Sequence, residues 1–258
     1  MPRSGTSWVG QIFDSSPTVA FRMEPLFAYQ FKNKINSKSS RKNIAKFFTE
    51  VYLSDDDFIN QKENRDKGVY CSYIKDPEPE FLVVKTTRHH HLLERYLNSI
   101  DYIEIISIIR HPCAVVSSWI NTEREFTAKG CTVENDWRSG ECRMNSDGEF
   151  WGFDSWLAVT QRHIELSQKY NNFNIVKYAD LVHESEDVIS KLFARLSIPY
   201  TKQTSNFLRD CHRTHHDDPY SVYKNKEVEN KWKDRLNSDI AQEIMKETIA
   251  SGLGDFTE

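Results

Sequence analysis

Along the chain, short β-rich runs alternate with helical periodicities. The runs are Val19–Met23, Phe81–Lys85, Ile103–Arg110 and Phe173–Tyr178. The third, IEIISIIR, is nearly unbroken apolar, which is how a strand buried on both faces of a parallel sheet reads. Helical patterns cover Thr6–Asp14, His89–Leu97, Ala114–Asn121, Phe150–Tyr170 and Glu186–Leu196. In the last of these, Val188, Ile189, Leu192, Phe193 and Leu196 fall on one helical face. Ser238 reads as the N-cap of a final helix ending near Gly252. Strands alternating with helices predict an α/β fold with a central parallel sheet flanked by helices on both faces. Asn33–Arg41 and Thr127–Gly148 are poorly patterned and predict surface loops or lids. No linker, repeat or low-complexity tract divides the 258 residues, so one domain is expected.

Composition narrows the class. Hydrophobic residues at 38% and charged residues at 28% suit an ordinary globular protein with a real core. A net charge of −4 argues against nucleic acid or an anionic membrane as partner, so any anion site must be local. No run approaches the roughly 18 apolar residues of a membrane span. The opening residues lack a signal-peptide pattern. Cys71, Cys113, Cys131, Cys142 and Cys211 form an odd set with no CxxC pair. That fits reduced thiols in a cytoplasmic protein; a Cys131–Cys142 loop disulfide is the alternative in a luminal one.

Two segments carry chemistry. Residues 2–8 read PRSGTSW and run into an apolar helix. A helix N-terminus of this kind binds phosphate or sulfate through its backbone N–H groups and the positive end of its dipole. Gly5 allows close backbone approach, Ser4, Thr6 and Ser7 supply hydroxyls, and Arg3 adds a planar cation. The loop lacks the Gly-Lys-Ser/Thr ending of a Walker A motif, and no acid closes the IEIISIIR strand to hold magnesium, which counts against a kinase or ATPase. The second segment, RHPCAVVSSW, puts Arg110 at the C-terminal edge of the sheet. Ser118 follows two helical turns later, so that Arg and hydroxyl together can grip a second phosphate. The run Cys211-His212-Arg213-Thr214-His215-His216-Asp217-Asp218 holds metal-ligand residue types, but it is polar and has no second Cys pair to complete a site.

Taken together these segments resemble the sulfotransferases that use 3′-phosphoadenosine 5′-phosphosulfate (PAPS). PRSGTSW is similar to that family's 5′-phosphosulfate loop, and RHPCAVVSSW to its 3′-phosphate site, with Arg110 and Ser118 on the matching positions. VKYADL (176–181) with LSIPY beyond it, and KW (231–232) with the closing GLGDF, resemble its downstream blocks. SSPTVAFRMEPLF (15–27) looks more like the carbohydrate and tyrosylprotein type than the cytosolic aryl type. The resemblance implies a P-loop-like sulfotransferase fold, PAPS as co-substrate, no metal, and a carbohydrate or small-molecule acceptor. It makes Glu24 the general base, where the cytosolic type uses a His at the position of Thr87. Lys85 is a candidate second cation, and Trp8 and Tyr178 are candidates for packing the nucleotide. His89, His90 and His91 read as a polar helix start. The family normally has an apolar strand directly before the loop, where here only Met1 precedes Pro2. The sheet is therefore expected to lack a central member, and a membrane anchor carried upstream would change the expected location. A nucleotide binder without turnover is the alternative reading.

Overall fold

The computed structural model describes residues 1–146, 148–213, 222–223 and 226–257. In chain order the elements are α1 (Thr6–Asp14), β1 (Val19–Met23), α2 (Arg41–Leu53), α3 (Lys62–Asp66), β2 (Phe81–Lys85), α4 (Leu93–Leu97), β3 (Ile105–Ile109) and α5 (Pro112–Ile120). They continue with α6 (Val133–Ser139), α7 (Gly152–Lys169), β4 (Phe173–Lys177), α8 (Tyr178–His183), α9 (Ser185–Arg195), α10 (Lys202–Arg213), α11 (Trp232–Arg235) and α12 (Ser238–Ala250).

The strands form two parallel pairs. β1 runs beside β2 with Val19 opposite Phe81 and Met23 opposite Lys85. β3 runs beside β4 with Ile105 opposite Phe173 and Ile109 opposite Lys177. Among the described residues the pairs are not hydrogen-bonded to each other, so the parallel strands lie in two halves with no strand bridging them. Apolar side chains join them instead. On one face Phe21, Val83, Ile106, Ile108 and Val176 share a core with α1, α8, α9 and α10. On the other, Leu82, Val84, Ile105 and Ile175 pack with α2, α4 and Leu166 of α7. The result is a helix–strand–helix sandwich, the layering that alternating strands and helices require.

Local signals explain most boundaries. β3 stops at Ile109 because Pro112 starts α5, with the His111 side chain accepting from Cys113 N–H as its cap. The final helix begins at Ser238, and its cap is Asn237, which accepts from the N–H groups of Asp239 and Ile240, not Ser238 itself. The expected helix at 89–97 is a single 3-10 turn followed by the short α4. The Thr127–Gly148 segment contains α6 and a Cys131–Cys142 disulfide, packed beneath Trp119, Phe126 and Trp151. Its order comes from that apolar patch and cross-link, which the polar sequence pattern conceals.

Candidate active site

All four strands end at one edge, and the residues that follow each of them line one cleft of about 720 Å³. Glu24 follows β1, Thr87 and Arg88 follow β2, Arg110 follows β3 and Tyr178 follows β4. Arg3, Gly5, Thr6, Ser7, Trp8, Lys85 and Ser118 line it as well. Ser4 does not: it is 1% exposed, and its hydroxyl has no partner among the described residues. Among the described residues eight cations reach the cleft (Arg3, Lys67, Lys85, Arg88, Arg110, Arg124, Lys231, Arg235) against two carboxylates, Glu24 and Glu125. In a chain of net charge −4 this is a strongly local concentration of positive charge.

The first motif forms a bare helix end. Gly5 is the N-cap of α1 in the left-handed region (φ 80°), with no side-chain cap. The first bond of the ladder is Val9 N–H to the Gly5 carbonyl at 3.1 Å. The amides ahead of it lie outside the helix's own hydrogen bonding. Glycine is needed here twice over, since φ is positive and a Cβ would sit 2.2 Å from Cε2 of Tyr178. Arg3 Nε donates to Ser118 Oγ at 3.1 Å, and its NH1 lies 3.6 Å from Glu125. Two motifs 115 residues apart are thus in direct contact.

Arg110 is 7% exposed. Its NH1 donates to the Arg3 carbonyl (2.9 Å), its NH2 donates to the Val228 carbonyl (3.0 Å), and its guanidinium stacks on Tyr178 at 4.8 Å. Nε is buried without a partner among the described residues. Burial lowers the Arg110 pKa, the mark of a cation kept from water with no carboxylate bonded to it. Such a group favours an anionic ligand. Ser118 Oγ accepts from Arg3, and Ser118 and Arg110 line the same cleft. Trp8 and Tyr178 meet edge to face at 5.9 Å and belong to the core as well as to the cleft.

Glu24 is 6% exposed and has left-handed backbone geometry (φ 42°). Oε1 accepts from Lys85 Nζ (3.2 Å), Thr87 N–H (2.8 Å) and Thr87 Oγ1 (2.7 Å). Oε2 accepts from Thr86 Oγ1 at 3.0 Å. Arg88 NH1 lies 3.7 Å from Oε1. Burial alone would raise the pKa of this carboxyl, but Lys85, Arg88 and the Thr87 bonds outweigh it and hold the group ionised below its ordinary range. Oε2 has one hydrogen bond among the described residues and so has capacity to accept another.

Several lining residues escaped the sequence reading. Arg88 is clamped between Glu149 (2.8 Å) and the Phe27 ring (4.5 Å). Trp232 stacks on His111 at 4.7 Å, with Lys231 and Arg235 beside it in the chain. The KW block was the one visible signal of that wall. Phe58, Gln61, Asn64, Lys67, Val69 and Tyr70 form another wall for which no motif speaks. Neither expected lid, 33–41 or 127–148, contributes a lining residue. His90 is buried rather than a polar helix start. Cys211 is buried, with its sulfur accepting from Trp8 Nε1 at 3.2 Å; the side chains from His212 to Asp218 lie outside the described residues. Cys131, Asp136 and Cys142 cluster closely enough for a metal, but the two sulfurs are bonded to each other.

The comparisons agree with this geometry. A family model described as "Sulfotransferase family" matches residues 1–202. The chain belongs to the sulfotransferase family, and its P-loop-like α/β fold is that of the class. Among solved structures it is similar to a sulfotransferase domain from the curacin biosynthetic pathway, with TM-score 0.53 and 18% identity over 96% of this chain and 94% of that one. At that identity the likeness speaks for the fold. No curated protein matches the chain.

Proposed function

We propose that the protein moves a sulfuryl group from PAPS to a hydroxyl or amine of a carbohydrate or small-molecule acceptor. The observation that carries this is the meeting, in one cleft, of a bare helix N-terminus, a buried Arg110 with an unpaired Nε, and an ionised Glu24. The residues present fit the donor's two anionic ends. Arg3, Thr6, Ser7 and the amides of the α1 N-terminus suit the 5′-phosphosulfate. Arg110 and Ser118, with Lys231 and Arg235 in the same cleft, suit the 3′-phosphate. PAPS, when bound, supplies a sulfuryl group already activated by its phosphate leaving group.

The rest falls to the chain. Positioning and charge stabilisation dominate in-line transfers of this kind. Arg3 and Lys85 offset negative charge as it develops near the loop. Glu24, kept ionised, accepts the acceptor's proton through the open lone pair of Oε2. Its lowered pKa makes it a modest base, suited to a proton that leaves late, once bonding to sulfur has made the attacking atom acidic. The resemblance of the Glu24 segment leans toward a carbohydrate acceptor, with a small molecule as the other candidate. The Cys131–Cys142 disulfide is at home in an oxidising compartment, which counts against the cytoplasmic expectation.

Titration with 3′-phosphoadenosine 5′-phosphate tests the donor site. Binding is expected, with affinity lowered by roughly 1.5–3 kcal/mol in Arg110→Ala and with no comparable binding of ATP. Absence of binding, or equal binding by the variant, would reject the reading.

A further inference from the structure

A chain of buried polar groups runs from β3 to the Glu24 site. Ser107 Oγ lies 2.6 Å from His163 Nδ1. His163 Nε2 lies 3.2 Å from His90 Nδ1. His90 Nε2 lies 3.1 Å from the carbonyl oxygen of Thr87. Ser107, His163 and His90 are 5%, 5% and 8% exposed. Phe150 packs edge-on against the His90 ring at 5.0 Å, and Phe173 against His163 at 5.3 Å. None of the three lines the cleft.

One end of this chain sets the direction of every bond in it. The Thr87 carbonyl can only accept, so His90 Nε2 carries the hydrogen. A neutral imidazole has one N–H, so His90 Nδ1 accepts, and His163 Nε2 donates to it. His163 Nδ1 then accepts from the Ser107 hydroxyl. Both rings are neutral and both are Nε2-protonated. Burial, the largest influence on each, agrees: it pushes His163 down to about 3 and His90 well below its ordinary range.

The far end explains why the chain matters. Thr87 gives both its N–H and its hydroxyl to Glu24 Oε1, while its own carbonyl is held by His90. The Thr87 residue is pinned on both sides. The chain also crosses between the two strand pairs, which have no hydrogen bonds of their own to each other among the described residues. We infer that Ser107, His163 and His90 are positioning residues that fix Thr87, and through it the Glu24 carboxylate, from the opposite half of the sheet. This rests on the proposed role of Glu24 as base. A carboxylate whose orientation drifts by a fraction of an ångström loses its line to the acceptor proton, and such losses appear in turnover rather than in donor affinity.

Two measurements test it. In histidine labelled with nitrogen-15, both rings are expected neutral and Nε2-protonated at neutral pH; an Nδ1-protonated or cationic ring at either position overturns the chain. In kinetics, His163→Leu is expected to lower kcat roughly 10-fold to 100-fold while leaving the donor KM unchanged. His163→Gln, which still offers an N–H toward His90, should recover most of the rate. A folded His163→Leu with wild-type kcat overturns the inference, as does an effect equally large in the Glu24→Gln background. If His163→Leu does not fold, Ser107→Ala removes only the terminal donor and is read the same way, with a smaller loss expected. Wild-type turnover by Glu24→Gln alone would instead defeat the base role, leaving the nitrogen-15 spectra to judge the chain.

Discussion

Asp14 and Glu24 are both buried carboxylates gripped by two cations, and they differ in whether they line the cleft. Asp14, at the end of α1, is 1% exposed and bonds Arg65 at 2.6 Å and Lys75 at 2.9 Å. Arg65 and Lys75 go on to backbone carbonyls of Asn60, Cys71, Ser16 and Val19. That cluster is closed: it ties α1 and the start of β1 to the 60–75 segment and touches no cleft. Glu24 is bound as tightly, by Lys85, Thr86, Thr87 and Arg88, yet it opens onto the cleft. The same pairing chemistry therefore serves anchoring in one place and a poised ionised group in the other. The deciding factor is access, not charge.

The largest effect expected to break this comparison is on turnover. Glu24→Gln still fills the site and accepts from Thr87 and Lys85, so the protein should remain folded while kcat falls by roughly 100-fold to 10,000-fold. Single-turnover assays with labelled donor check this; near-normal turnover would reduce Glu24 to a second Asp14. Asp14→Ala is the mirror case. Removing the buried acid leaves the half-buried Arg65 and Lys75 without their partner, and urea unfolding should show a loss of about 2–4 kcal/mol. Activity per folded molecule should stay near wild type.

The disulfide gives a smaller effect that sharpens the contrast. Cys142→Ser should lower stability by about 2–3 kcal/mol through the freed 11-residue span. The disulfide shares no partner with Asp14, so its loss should be additive with Asp14→Ala. A thermal-denaturation cycle over the four proteins measures this. Smallest is the acid dependence. Glu24 has a folded pKa below its unfolded one, so its stabilisation is present above the ordinary carboxylate range and is lost as pH falls through the folded value. His163, lowered to about 3 by burial, has the same sign: the unfolded chain takes up the proton first, and stability falls as pH drops from about 6.5 toward 3. Melting temperature against pH should therefore decline on the acid side, and Glu24→Gln should flatten the part below about 4.5.

Much of this was legible in the residues. Val19–Met23 and Phe81–Lys85 are strands over the very spans their β-branched and apolar residues indicate. Thr6–Asp14 is likewise the helix that SGTSW announces. Gly5, Arg3, Arg110 and Glu24 reach the cleft because each sits at a strand end or helix start, positions that short-range rules locate. Arg88 and Arg235 did not show, because a cation in a polar stretch looks the same whether it faces a cleft or bulk water. The order of the 127–148 segment stayed hidden because it rests on contacts with Trp119 and Trp151 rather than on its own periodicity.

The sequence by itself determined the local states: which runs extend, which coil, where the bare helix end lies and which family the chain joins. Those depend on neighbours within a few residues, where propensity and spacing act. Tertiary structure alone decided that Arg3 meets Ser118, that Thr87 holds Glu24, and that His90 finds His163 and Ser107. These contacts join residues from 56 to 115 positions apart, and no local pattern encodes a partner at that distance. The partner is selected when burying the apolar faces of the two strand pairs forces the polar groups between them to satisfy one another.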